Sequence, residues 1–131
     1  MEKVDNIIIK IKKQFPNSSF NPIKDEWITY VEDKYPNFPK NLKKLYKELG
    51  YGTIGKGYYS IHVLLEPDEI YDAKTAQELE GKLIVGDDYG GICHAYDTEN
   101  NWEFGYIDSN GEFNSLTKIY IDFLDFLENL L

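Results

Sequence analysis

Few side chains in this sequence are suited to making and breaking bonds, and their spacing limits what they can do. The histidines are His62 and His94, and the one cysteine is Cys93. Each histidine stands alone in a strand-like stretch. Cys93 and His94 are adjacent, so a strand would send them to opposite faces and keep them off a shared metal ion. No basic residue near Cys93 in sequence favours its thiolate. Carboxylate groups are the other candidates: Glu66 with Asp68 and Glu69, Asp87 with Asp88, and Asp97 with Glu99. Paired carboxylates can do acid–base work. All three groups, however, fall at turns or helix starts, where acidic residues serve the local backbone.

The sequence has no Gly-x-Ser-x-Gly elbow, no paired cysteines and no His-Glu-x-x-His. Gly52, Gly55 and Gly57 lack the following helix that a phosphate cradle requires. The stretch Asp97-Thr98-Glu99-Asn100-Asn101 has Trp102 where a calcium loop needs glycine, and in Asp108-Ser109-Asn110-Gly111 the glycine comes two positions too early. We therefore expect no catalytic residue, no metal site and no cofactor, in a protein that is not an enzyme. A small hydrolase built on the carboxylate clusters is the least favoured alternative.

Aromatic residues point elsewhere. Tyr58, Tyr59, Tyr89, Tyr96, Trp102, Phe104 and Tyr106 crowd the strand-rich part of the sequence. Many must be core, since aromatics favour strands. Between 102 and 108, Trp102, Phe104 and Tyr106 share one face and Glu103, Gly105 and Ile107 the other; which face meets the helices is open. An accessible aromatic face rimmed by carboxylates has the make-up of a protein-binding hot spot. The candidate partner-binding residues are Asp87, Asp88, Tyr89, Asp97, Glu99, Trp102 and Glu103.

Charge supports a protein partner over the alternatives. The net charge is −9, which weighs against nucleic acid and anionic membrane, both of which recruit basic patches. All basic residues are lysine, so forked arginine recognition of phosphate is absent. Residues 1–57 hold 11 lysines against 7 carboxylates, a net of +4, whereas residues 58–131 hold 3 against 16, a net of −13. Such asymmetry between halves suggests a cationic partner for the second half, the alternative being acidic loops that keep a small protein soluble.

The elements that must position these residues follow from periodicity. With 131 residues, one domain over 1–131 is expected. Val4, Ile8, Ile11 and Phe15 recur at helical spacing until Pro16. The segment 16–20 reads as a loop, and Asn21-Pro22 as the cap and first residue of a second helix. Asp25 and Glu26 lie in its first turn and Trp27, Val31 and Tyr35 on its apolar stripe. After the break at 36–39, Leu42, Leu45, Tyr46 and Leu49 define a third helix that Gly50 ends.

From 51 the period changes to that of strands, with turns at Gly52, Gly55 and Gly57. Strands are expected at 58–65, 82–86, 92–97, 102–108 and 112–116, a short helix from Glu66 to about Ala76, and a closing helix through Tyr120, Phe123, Leu124, Leu127 and Leu131. The fold class is α+β: an antiparallel sheet of about five or six strands with N-terminal helices and a C-terminal helix packed against it. The charged start of the chain resembles neither a signal peptide nor a membrane span, and one unpaired cysteine fits a reducing cytoplasm.

Two stretches resemble the SUKH superfamily, the group that includes yeast cell-wall-assembly regulators and bacterial immunity proteins. The first comprises Asp25-Glu26-Trp27-Ile28, Val31-Glu32, Phe38-Pro39, Leu42-Lys43-Lys44-Leu45-Tyr46 and Leu49 to Ile54. The second comprises Ile84 to Gly91, Tyr96-Asp97, Gly105-Tyr106-Ile107 and Phe123-Leu124. The match lies in the order of these pieces, and it departs where the family has Asn-Gly and this chain has Leu49-Gly50. The resemblance implies an α+β fold without an active site. It also implies a bacterial immunity role, in which the chain neutralises a cognate toxin of a polymorphic toxin system. Many such toxins are nucleases and therefore basic. A non-enzymatic cytosolic adaptor or scaffold is the alternative the family offers.

Overall fold

The computed structural model describes residues 2–131, and its organising feature is a seven-stranded antiparallel sheet whose strand order repeats sequence order, β1 to β7. Three helices precede most of it: α1 (Glu2–Gln14), α2 (Asp25–Lys34) and α3 (Lys40–Glu48). The strands are β1 (Ser19–Asn21), β2 (Tyr51–Ile54), β3 (Tyr59–Leu65), β4 (Lys82–Asp87), β5 (Cys93–Asp97), β6 (Glu103–Ile107) and β7 (Phe113–Ser115). A 3₁₀ turn (Pro67–Glu69) and helix α4 (Ala73–Glu78) connect β3 to β4, and α5 (Phe123–Leu130) closes the chain. The expected α+β class is observed, with seven strands rather than five or six.

Alternation along the strands sends side chains into two apolar clusters, one on each face. Ile54, Tyr59, Ile61, Leu83, Val85, Tyr96 and Phe104 face α1, α2, α3 and α5, and with Val4, Ile7, Ile11, Val31, Leu42, Leu45, Phe123 and Leu127 they make the main core. Ile84, Ala95 and Ile107 point the other way and meet Leu79, with Leu65, Tyr71, Cys93 and Phe113 around them. The segment 66–80 therefore roofs part of the sheet's outer face. None of the helices among the described residues is long and apolar enough to cross a membrane.

Several local expectations are corrected. Asn21 and Pro22 do not start α2: Asn21 pairs with Tyr51 in the sheet, and the residue before the helix is Lys24. The stretch read as a loop at 16–20 thus contributes an edge strand, and Gly52 lies inside β2 rather than in a turn. In α1 it is Ile7, not Ile8, that is fully buried. The expected single helix from Glu66 is two pieces, separated where Asp72 accepts a hydrogen bond from the Thr75 amide and caps α4 anew. Gly50 does end α3, at φ 84°.

β3 carries a bulge that ties the layers together. Its register against β4 shifts between Ile61 and Leu65, and Leu64 sits at φ 40°. Carbonyls released from the ladder are taken up by the helices: Tyr46 Oη donates to His62 O at 2.6 Å, and Trp27 Nε1 donates to Val63 O at 3.1 Å. The extra residue turns Leu64 into the main core and leaves Leu65 on the outer face.

Candidate functional site

The register divides the seven candidate residues between opposite ends of the sheet. Asp87 pairs with Cys93 at the turn between β4 and β5, whereas Asp97 pairs with Lys82 at their other end and with Glu103 across β6. Five residues of β4 separate the two ends, about 17 Å at ~3.3 Å per residue. Asp87, Asp88 and Tyr89 form one group and Asp97, Glu99, Trp102 and Glu103 the other. They are not a single site. The signal was in the sequence: strands of five or six residues flanked by acidic turns at both ends cannot bring those turns together.

At the first end, a cross-strand row runs over the whole outer face: Ser19, Thr53, Ser60, Asp87, Cys93, Ile107 and Phe113. Cys93, Ile107 and Phe113 lie in the outer apolar cluster, whereas Ser19, Thr53, Ser60 and Asp87 make a polar half. His62 Nε2 is hydrogen-bonded to Asp87 Oδ2 there. Asp88 Oδ1 accepts from the Gly90 amide at 2.7 Å, which holds the turn. Tyr89 is exposed, sits at φ 63°, and reaches back so that its hydroxyl bonds Thr53 Oγ1 at 2.8 Å.

At the second end lies a groove of about 820 Å³. Its walls are the end of α2 with Tyr35 and Pro36, the 3₁₀ turn with α4, and the β5–β6 turn with Thr98 and Glu99. The β5–β6 wall is anchored: Thr98 Oγ1 and the Thr98 amide both donate to Gly81 O, at 2.6 and 3.0 Å, and Lys82 Nζ lies 3.6 Å from Asp97 Oδ2. Gly81 has φ 86°, and a Cβ there would overlap the Glu99 carboxylate, which lies over it. Only glycine allows both the backbone and that approach.

The α2 wall is held by Glu66. Its carboxylate accepts from Lys34 Nζ at 2.5 Å, Tyr35 Oη at 2.6 Å and Tyr30 Oη at 3.1 Å. Burial alone would raise the Glu66 carboxyl, but the bonds from Lys34, Tyr35 and Tyr30 outweigh it and hold it below its usual range. Lys34 is raised in turn, chiefly by Glu66. Asp68, Glu80 and Glu99 also line the groove, and none of their carboxylates has a hydrogen-bond or ion-pair partner among the described residues. Sequence reasoning singled out Glu99 but missed Glu80, which only the packing of α4 brings opposite.

Trp102 is not an open hot spot. It lies on the helix side of the sheet, against Phe38 and Tyr96, and its indole N–H donates to Pro36 O at 2.9 Å. The face of Trp102, Phe104 and Tyr106 is the one that meets the helices, and Phe104 is fully buried. Trp102 instead fixes Pro36, one wall of the groove.

The groups with bond-making potential are dispersed. Cys93 and His94 point to opposite faces, as expected: Cys93 joins the outer cluster, and His94 stacks among Phe104, Phe126 and Tyr59 in the core. Burial pushes the Cys93 thiol up, against nucleophilic use. Burial also pushes His94 down to about 4. Among the described residues no three His, Cys, Asp or Glu side chains converge to hold a metal ion. The chain matches no protein-family model, no curated protein and no solved structure.

Proposed function

We propose that this chain is a SUKH-like immunity protein that binds and neutralises a cognate bacterial toxin, a basic nuclease domain, through the acidic outer side of its sheet. One observation carries the reading: the roof over the sheet's outer face is strongly acidic. Residues 66–80, the roof of the outer face, hold 6 carboxylates and one lysine, and the groove they border adds Glu99. On the opposite side, α1, α2, α3 and α5 together hold 9 lysines and 9 carboxylates, so of these two layers only the roof carries an acidic excess. An inhibitor of a polyanion-binding enzyme needs such an acidic face, which imitates the phosphates the toxin expects and steers encounter.

Co-expression with the toxin-like gene beside this one tests the proposal. Growth rescue with a co-purifying complex is the expected result. Failure to rescue from a toxin shown to be active would overturn the immunity reading and put the cytosolic adaptor in its place. Within a positive result, Glu80→Lys/Glu99→Lys and Asp88→Asn chains separate the two ends of the sheet, the asparagine keeping the oxygen that accepts from the Gly90 amide. Substitution at the contacting end should weaken binding about tenfold or more, with the melting temperature kept.

A further inference from the structure

Three features of the second-end groove belong together. Part of its lining is apolar: Tyr35, Pro36, Pro67, Ala73 and Ala76. The lining also holds three carboxylates, Asp68, Glu80 and Glu99, without cationic partners among the described residues, while Lys34 in the same lining is bound to Glu66. Its walls are fixed before any partner arrives, by the Thr98–Gly81, Trp102–Pro36 and Tyr35–Glu66 hydrogen bonds.

We infer that this groove is a slot for a basic segment of a partner protein, taking one long cationic side chain, arginine or lysine, with its stem along the apolar part of the lining and its charged head toward the carboxylates Asp68, Glu80 and Glu99. The inference rests on the immunity reading for the partner's identity but not for the chemistry of the slot. A long cationic side chain is amphipathic along its length: methylenes prefer apolar surface and the head prefers carboxylates. A fixed pair of walls lowers the ordering cost of such binding. The polar row at the other end of the sheet lacks these properties, since Asp87 is engaged by His62 and Asp88 by its own turn.

The test uses the full chain, isotope-labelled, titrated at low ionic strength with a nine-residue peptide of alternating glycine and arginine. The control is the same peptide with citrulline, which keeps the shape and removes the charge. We expect saturable amide shifts confined to Ala76, Gln77, Gly81, Thr98 and Glu99, none with citrulline, and about tenfold weaker binding by a Glu80→Gln/Glu99→Gln chain of unchanged melting temperature. Shifts centred on Asp87–Tyr89, equal response to citrulline, no saturation at millimolar peptide, or undiminished binding by the double variant would each overturn the slot. The two readings fail separately. A Glu80→Gln/Glu99→Gln chain that still neutralises the toxin removes the slot and leaves immunity intact. An unmutated chain that fails to neutralise removes immunity, and the peptide titration still decides the slot.

Discussion

At neutral pH His94 is an uncharged ring in the core, with Nδ1 hydrogen-bonded to Tyr59 Oη at 2.8 Å. Burial lowers its folded-state value to about 4 from 6.5, and the charges of Asp88 and Asp87 only partly offset this. An unfolded chain therefore binds a proton near pH 6.5 that the folded chain refuses until about pH 4. Stability should be full above pH 6.5 and fall between 6.5 and 4, by up to about 3 kcal/mol from this ring. Urea unfolding of the unmutated chain against His94→Phe across that window checks it, since the variant should lose this part of the slope. Trp102 gives a second expectation at this scale. Trp102→Ala removes the bond to Pro36 and the contacts with Phe38 and Tyr96, and should cost about 2–3 kcal/mol in chemical denaturation.

Among the elements, the bulged strand β3 is where helices and sheet are fastened. Tyr46→Phe strips the donor from His62 O and Val85 O while keeping the ring, and should destabilise by about 1–2 kcal/mol, read in the same denaturation experiment. The bulge was not legible in the sequence, because 59–65 has the composition of an ordinary strand. β1 and β2 escaped for a related reason: three and four residues are too short to show a period, and Asn21-Pro22 carries a strong local cap signal that pairing with Tyr51 overrides. Longer elements were legible, α3 from its helical period and β4 and the β5–β6 hairpin from apolar or aromatic runs bounded by turn residues, but which face of the hairpin meets the helices was not. For the site, residue types could be read but not their grouping. Asp97 and Glu99 were identified as acidic turn residues; that Glu80 and Pro36 wall the same groove depends on how α4 and α2 dock.

Over the whole molecule, the sheet separates a helical layer whose lysines and carboxylates balance from an acidic roof. Association with a basic partner through that roof should be fast at low salt and slow steeply as salt rises. We expect stopped-flow association to fall more than tenfold between about 0.02 and 0.5 M ionic strength, with dissociation changed far less. Lysine-to-glutamine changes on α1, such as Lys12→Gln/Lys13→Gln, should leave that association undiminished, because these side chains lie on the far layer.

Strand order that repeats chain order also has a kinetic meaning. From β2 onward each strand pairs with the one made just before it, so no late strand must thread between earlier ones. Strand pairs of short sequence separation close at low entropic cost, and the contact of α1 with α5, which joins the two ends of the chain, completes the core. Refolding after dilution from urea should be one exponential on the millisecond scale. On a ribosome the same topology lets the meander grow strand by strand and β7 with α5 complete it last. Under the proposed immunity role, a protector assembled strand by strand would be ready soon after its synthesis.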